Sequence, residues 1–394
     1  MQYVLTINAG SSSLKVAVFE ASSPIREIHA GLIEDIGEEE GLFTTKTFDG
    51  KPPQKNTVQV PTHAAATDLI VEWLEDTVGV ANVIAVGHRI VHGGETYTKP
   101  QLLNNRVCEE LKTLQNLDPD HLPAALQSIK ELRRHFPNCP HVGCFDTAFY
   151  KDIPMVAKTL AVPRRLQKFG VRRYGFHGLS YSYLLSSFAE HEGFDAAHGR
   201  VVMAHLGSGV SLAAVKNGKP IDMTMGFTPA SGVPMSTRSG DLDPGVVWYL
   251  HRISDQGPQQ FNHMVNKESG LLGISETTAD MHTLLDNQHD DPRAAEAVEL
   301  FCYHITKTIG SFAAAMGGID SLIFAGGMGE RSPEIRRRIC KNLAFLGIEL
   351  DSERNKKSAR LISREGAGTG VHVIPTNEEL MIARQTIHTI KEEK

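Results

Sequence analysis

Short apolar and β-branched runs alternate with polar turns and helix-period segments along the whole chain. Residues 4–7 and 14–19 are two such runs, separated by Asn8, Ala9, Gly10, Ser11, Ser12 and Ser13. The pattern predicts strand, small polar turn, strand. Residues 201–215 repeat it, with Gly207, Ser208 and Gly209 in the turn. Asn8-Ala9-Gly10-Ser11 answers to His205-Leu206-Gly207-Ser208, 197 positions later in a chain of 394. Two equivalent units half a chain apart predict a duplicated α/β fold. Each half then offers one candidate phosphate loop to a shared cleft. Glycine lets the backbone approach closely, and turn N–H groups with hydroxyls can surround an anion. An ordinary Ser-rich hairpin has the same local pattern. Lys15 and its neighbours Ser11 and Ser13 are the candidate phosphate contacts of the first loop.

Helical spacing puts Ile70, Trp73, Leu74 and Val78 on one side of a helix over 67–78. It does the same for Leu126, Ile129, Leu132 and Phe136 in a helix from 122, for which Asp120 reads as the cap. The longest helix spans 292–316, with Asp291 as cap, Pro292 at the first position and Gly317-Gly318 as the stop. Strands are predicted at 83–86, 141–145, 322–325 and 371–374, and residues 36–56 read as a polar surface excursion. Arg89 then follows one strand, and Asp146 stands at the end of another, where α/β folds place ligands. Gly326-Gly327-Met328-Gly329 reads as a turn before a helix capped by Ser332, a further anion or nucleotide cradle. Thr376 reads as cap of the last helix, with Glu379 closing a capping box, which leaves Glu378 without a structural role. Residues 225–244, rich in Gly, Pro, Ser and Asp, predict a long functional loop.

Composition narrows the class. A net charge of −6 argues against a nucleic-acid partner, and no apolar run approaches a membrane span. The 5 cysteines form no CxxC pair, so neither a disulfide framework nor a zinc site is expected. The chain opens on a strand without a basic leader, which reads as a cytoplasmic, reduced protein.

Two arginines stand out, Arg89 beside Gly87 and Gly93, and Arg238 beside Gly240. Guanidinium suits bidentate capture of carboxylate or phosphate, although surface ion pairing is the better explanation of either arginine taken alone. Asp146 and Glu378 are carboxylates at strand or helix ends, and hard Mg²⁺ needs only one or two beside bound phosphates.

These residues, taken in order, resemble the acetate and butyrate kinase family, within the actin, Hsp70 and sugar-kinase superfamily. The resemblance rests on Asn8-Ala-Gly-Ser-Ser-Ser-Leu-Lys15, His88-Arg-Ile-Val-His-Gly-Gly94, Phe145-Asp-Thr-Ala-Phe149, Tyr174-Gly-Phe-His-Gly178, Thr237-Arg-Ser-Gly-Asp-Leu-Asp-Pro244, Gly327-Met-Gly-Glu330 and Ile374-Pro-Thr-Asn-Glu-Glu379. It implies a duplicated ribonuclease H-like fold with a nucleotide cleft. The domains would be 1–148 plus 379–394, and 149–378, with hinges near 148 and 376. It also implies Mg²⁺-dependent (or Mn²⁺-dependent), direct in-line phosphoryl transfer between ATP and acetate, giving ADP and acetyl phosphate, in a homodimer. By position, Arg89 and Arg238 would bind the carboxylate and the moving phosphoryl group. His177 would stabilise its oxygens, and His121 would face the cleft. Asp146 and Glu378 would organise the metal with Asn8 nearby. His205, Gly207, Ser208 and Gly209 would hold phosphates. Asp280, Gly327, Met328, Gly329 and Glu330 would border the nucleotide. Val91, Phe176 and Pro229 would receive the methyl group.

The chain departs from the family pattern at several points. Asp120 replaces an apolar residue, Ser208 replaces an asparagine, His282 stands where an arginine is expected, and Arg331 follows Gly329-Glu330 in place of asparagine. Acyl and nucleotide preference stay open on this reading. The alternatives are a propionate or other short-chain carboxylate kinase, a hydroxyl kinase with Asp146 as base, and an actin-like or Hsp70-like ATPase.

Overall fold

The computed structural model describes residues 1–254 and 256–393. They divide into two compact units: Met1–Lys151 with Gly178–Tyr183 and Asn377–Lys394, and Asp152–His177 with Leu184–Thr376. Strands of the first unit are β1 (Tyr3–Ala9), β2 (Leu14–Glu20), β3 (Arg26–Glu34), β4 (Gly41–Thr47), β5 (Gln54–Val58), β6 (Val83–Ile90), β7 (Gln101–Leu102) and β8 (His141–Phe145). Those of the second are β9 (Arg200–Leu206), β10 (Val210–Lys216), β11 (Lys219–Met223), β12 (Ser321–Ala325) and β13 (Gly370–Val373). The helices that shape the sites are α1 (His63–Thr77), α2 (Asn105–Thr113), α3 (Leu122–His135), α4 (Gly178–Glu192), α5 (Gly245–Ser254), α6 (Met281–Asn287), α7 (Pro292–Met316), α8 (Gly326–Arg331), α9 (Pro333–Cys340) and α10 (Glu378–Glu392).

The first sheet runs β5-β4-β3-β2-β1-β6-β8-β7 and the second β11-β10-β9-β12-β13. Within both lies one plan: three antiparallel strands joined by hairpins, then two parallel strands added beside the first. This is the duplicated α/β arrangement expected from the repeat, and the ribonuclease H-like one that the resemblance implies. The registers differ by one residue, since Asn8 pairs with Lys15 across one hairpin and its counterpart His205 pairs with Ser211 across a turn that is one residue shorter.

In the first unit, Ala66, Ile70 and Leu74 of α1 and Leu132 of α3 pack with Leu5, Ile7, Val16 and Val18 on one face of the sheet. On the opposite face, Ile382 and Ala383 of α10 are fully buried, packed in clusters with Val4, Phe19, Ala85, Val142 and Cys144. In the second unit α7 lies against β9, β10 and β11. Its cap is Asp291, its first position is Pro292, and left-handed Gly317 ends it, as expected.

Some expectations need correction. Residues 36–56 are not a plain surface excursion, because β4 and part of β5 lie there and extend the sheet. β5 is almost wholly exposed and polar, so hydrophobic alternation does not reveal it. The strand predicted at 83–86 continues to Ile90, which puts Arg89 on β6 rather than after it. The run 326–329 is the first turn of α8, not a free turn. Asn377, not Thr376, caps α10, through a 2.8 Å bond to the Leu380 N–H. Asp120 is exposed and caps nothing; α3 begins at Leu122, and His121 at the cap position makes no side-chain cap bond. Among the described residues no helix is long and apolar enough to cross a membrane.

Candidate active site

In the first unit the parallel strands β1, β6 and β8 end side by side and deliver Asn8, Arg89 and Asp146 to one place. Arg89 Nη2 and Nε donate to Asp146 Oδ2 at 2.8 and 3.2 Å. Its Nη1 lies 3.4 Å from Asn8 Oδ1 and 3.5 Å from Glu378 Oε2, the latter from the first residue of α10. The three charged side chains are 18, 1 and 13% exposed for Arg89, Asp146 and Glu378. Burial works against the Arg89 charge, but Asp146 and Glu378 outweigh it and raise its pKa. Burial raises the Asp146 carboxyl; the Arg89 guanidinium pulls it down, and Glu378 pushes it up.

One guanidinium between two carboxylates leaves a net negative charge in a half-buried place, which invites a cation. Asp146 Oδ1 is buried without a hydrogen-bond partner of good geometry, although the Leu179 N–H helps to hold the carboxylate's charge. Two carboxylates and an amide oxygen fit a hard divalent ion that takes its other ligands from phosphate and water. Among the described residues no group of three His, Cys, Asp or Glu side chains converges, so a softer, all-protein metal cage is not built. The carbonyl of Asp146 is covered by Gly178, where an added Cβ would stand 1.8 Å from that oxygen.

The Ser11–Ser13 turn is tied down by a Gly10 N–H to Ser13 O bond of 2.9 Å and a His63 Nε2 to Ser11 O contact of 3.0 Å. Lys15 reaches Glu379. His121 Nδ1 donates to Asp118 Oδ1 at 2.8 Å, so Nε2 is the ring's other working nitrogen. Asp118 is buried, and sequence reasoning passed over it as a loop residue. Burial drives the nearby His92 down to about 4, so it is a neutral ring, accepting the Gly94 N–H on Nδ1. Val91, just past β6, is half-buried.

The second unit gathers His177, Gly209 and Arg238. His177 holds a left-handed backbone (φ 56°) ahead of α4, with Nδ1 2.8 Å from Ser211 Oγ. Its ring stacks on buried His205 with centroids 4.5 Å apart. A Cβ on Gly209 would lie 3.2 Å from His177 Nε2 and 3.6 Å from Arg238 Nη1, so the imidazole and the guanidinium border the same glycine turn. Arg238 Nη1 also reaches Pro229 O at 3.4 Å. Phe176 is buried and Pro229 half-buried.

Beside them opens a cleft of about 990 Å³. Gly207–Gly209, Ser236–Arg238, Asp280–His282, Gly327, Met328 and Arg331 line it. Asp280 caps α6 through the Thr283 N–H, which lowers its pKa. Gly329 and Glu330 stand behind the cleft wall. Glu330 Oε1 accepts the N–H groups of Gly326 and Thr376 at 2.9 and 3.1 Å. Fully buried Arg336 grips the carbonyls of Gly329 and Glu330 at 2.7 and 3.0 Å, and burial lowers its pKa to about 10. No periodicity in the sequence marks that buried clamp.

Residues 3–384 match the model of the acetokinase family. The chain belongs to the acetokinase family. An acetate kinase of Rhodopseudomonas palustris is 42% identical over 387 residues, 97% of this chain and 96% of its own. The crystal structure of a propionate kinase from Francisella tularensis superposes with a TM-score of 0.93 at 33% identity, covering 98% of this chain and all of the other. That of Porphyromonas gingivalis acetate kinase gives 0.91 at 35% identity, covering 99% of this chain and all of its own. Against this acetokinase background, His282 pairs with Asp286 at 3.0 Å instead of offering a guanidinium. Arg331, on the same cleft, makes no ion pair among the described residues, and its Nη2 lies over Gly327.

Proposed function

We propose that the protein is an acetate kinase that moves a phosphoryl group reversibly between ATP and acetate, giving acetyl phosphate and ADP. The observation that carries this reading is Arg89, set at the ends of three parallel strands and held by Asp146 and Glu378 with Asn8 beside it. Acetate, with a pKa near that of Glu, about 4.3, is already ionised at neutral pH, so no general base is needed. The step requires cations against two negative reactants and alignment of donor and acceptor.

Arg89 takes the acetate carboxylate. Arg238 takes the transferring phosphoryl group, and His177, oriented by Ser211, supports its oxygens in a direct in-line transfer. His121, oriented by Asp118, adds a further donor, and the Ser11–Ser13 turn with Lys15 serves the phosphates from the first unit. The Gly207–Gly209 turn cradles the ATP phosphates, and Asp280, Gly327 and Met328 border the nucleoside. Asp146, Glu378 and Asn8 would hold Mg²⁺ or Mn²⁺, which when bound neutralises phosphate charge. Val91, Phe176 and Pro229 are the apolar residues we assign to the methyl group. The exposed face of α5, with Val247, Trp248, Tyr249 and Ile253, supports a homodimer. Free thiols at all five cysteines fit the reducing cytoplasm, where we place the activity.

A second reading, propionate as the preferred acid, is favoured by the likeness to the Francisella propionate kinase. A hydroxamate assay with acetate, propionate and butyrate, each with ATP and Mg²⁺, decides between them. Acetate should give the highest kcat/KM, and chelation should abolish turnover. ATP hydrolysis without acyl phosphate from any acid would overturn both readings.

A further inference from the structure

A second cleft, of about 940 Å³, opens in the first unit beside α2, α3 and the start of β8. It lies at the His141 end of β8, whereas Asp146 follows the other end, roughly 17 Å of strand away. Buried Leu103, Leu126 and Phe136 give it an apolar floor. Two of its cations are neutralised: Lys112 by Glu109 at 2.7 Å, and Arg134 by Glu131 at 2.6 Å. Lys130 and Arg133 form no ion pair among the described residues. They stand one turn apart on α3, on neighbouring positions of its surface. Arg133 is half-buried; its Nη2 donates to Asn105 Oδ1 at 2.9 Å, and its Nη1 lies 3.8 Å from Cys108 Sγ.

A half-buried guanidinium without a counter-ion is costly, and its Asn105 and Cys108 contacts bring no opposing charge. Two unmatched positive charges over an apolar floor select a small molecule with two negative charges and a short hydrocarbon body. We propose that this cleft is a binding site for a small organic dianion, separate from the catalytic cluster. Arg133 takes one anionic group through its planar fork, and Lys130 supplies the second charge as a flexible point donor. A dicarboxylate and a phosphoester both carry this chemistry.

Cys108 and Cys139 line the cleft and are half-exposed, while Cys144, Cys302 and Cys340 are buried. An aromatic disulfide reagent on the full-length protein therefore reads this cleft, without turnover and independently of the proposed reaction. Succinate or glycerol 3-phosphate, at about four times its dissociation constant from calorimetry, should slow the thiol reaction about fivefold. Protection by one probe alone assigns the dicarboxylate or the phosphoester class. Arg133→Ala and Lys130→Ala should each weaken protection at the same concentration, measured against that variant's own anion-free rate. Lys130 is exposed, so its variant keeps the fold. Unslowed thiols with both probes, or undiminished protection in Lys130→Ala, would overturn the site.

Discussion

Lys15 Nζ lies 2.5 Å from Glu379 Oε1, while the adjacent Glu378 turns to Arg89. Two neighbouring glutamates at the start of α10 thus serve different partners. Lys15 is 45% exposed, so the pair contributes at most about 1 kcal/mol. Glu378→Gln should raise the Mg²⁺ concentration for half-maximal rate by at least about tenfold, the scale of a lost metal-shell contact. Glu379→Gln should leave it within about twofold. A metal titration giving the reverse order would reject the assignment.

Arg89→Ala should lower kcat/KM by at least about 100-fold, roughly 3 kcal/mol of transition-state contact. It also strands Asp146, whose pKa burial already raises. A carboxyl with a raised folded pKa holds its proton more tightly when folded, so folding weakens as pH rises from its unfolded value of 3.8 through the folded one. Removing the guanidinium extends that window upward. The melting temperature of the variant should therefore fall more between pH 5 and pH 8 than that of the parent, and parallel curves would contradict the pairing.

His88 Nε2 and His141 Nδ1 are 2.9 Å apart in a buried stack, and His141 Nε2 reaches Phe136 O at 3.3 Å. The chain of bonds fits neutral rings, with His88 donating to His141 and His141 to the carbonyl. Burial lowers His141 to about 4 and takes His88, too, well below the ordinary 6.5. Below about pH 6.5 the unfolded chain gains protons that the folded chain refuses, so stability falls with pH by about 1–2 kcal/mol per ring between pH 7 and 5. His141→Gln keeps a donor for Phe136 and should flatten that slope. Urea midpoints at the two pH values measure it; an unchanged slope would remove the pair from the acid response.

Arg331, which makes no ion pair among the described residues, lines the same cleft as His282, in the region we assign to the nucleotide. Arg331→Ala should raise the KM for ATP at least about fivefold, near 1 kcal/mol, and leave the KM for acetate within about twofold. Initial-rate kinetics with each substrate varied separate the two, and an unaffected ATP KM would exclude Arg331 from nucleotide binding.

Legibility followed the range of the forces involved. α7 could be bounded from sequence because Asp291, Pro292 and Gly317 act within one turn of its ends. The duplication was readable because both hairpins carry a glycine in a short polar turn. β4 and β5 were not, because their polar residues become strands only by pairing with β3. The Asn377 cap, the uncapped start of α3 and the Lys15–Glu379 pair were missed for related reasons. Each was assigned by neighbours along the chain, while the partners that decide them come from the folded backbone or from the far end of the sequence. Of the candidate site, residue types were legible, but their holders Asp118, Ser211 and Arg336 were not, since their roles appear only as contacts.

α10 has a consequence for biosynthesis. The ribosome makes β1, β6 and β8 long before Glu378–Glu392, yet that helix supplies buried Ile382 and Ala383 to one face of their sheet. The second unit, whose chain ends at Thr376, is complete when the first still presents a bare apolar face. Synthesis therefore finishes the chain of the second unit before that of the first. Because Glu378 arrives with the same helix, the nascent chain acquires its carboxylate pair and closes its hydrophobic face in a single late event, and a transcript truncated before that codon yields a product with neither.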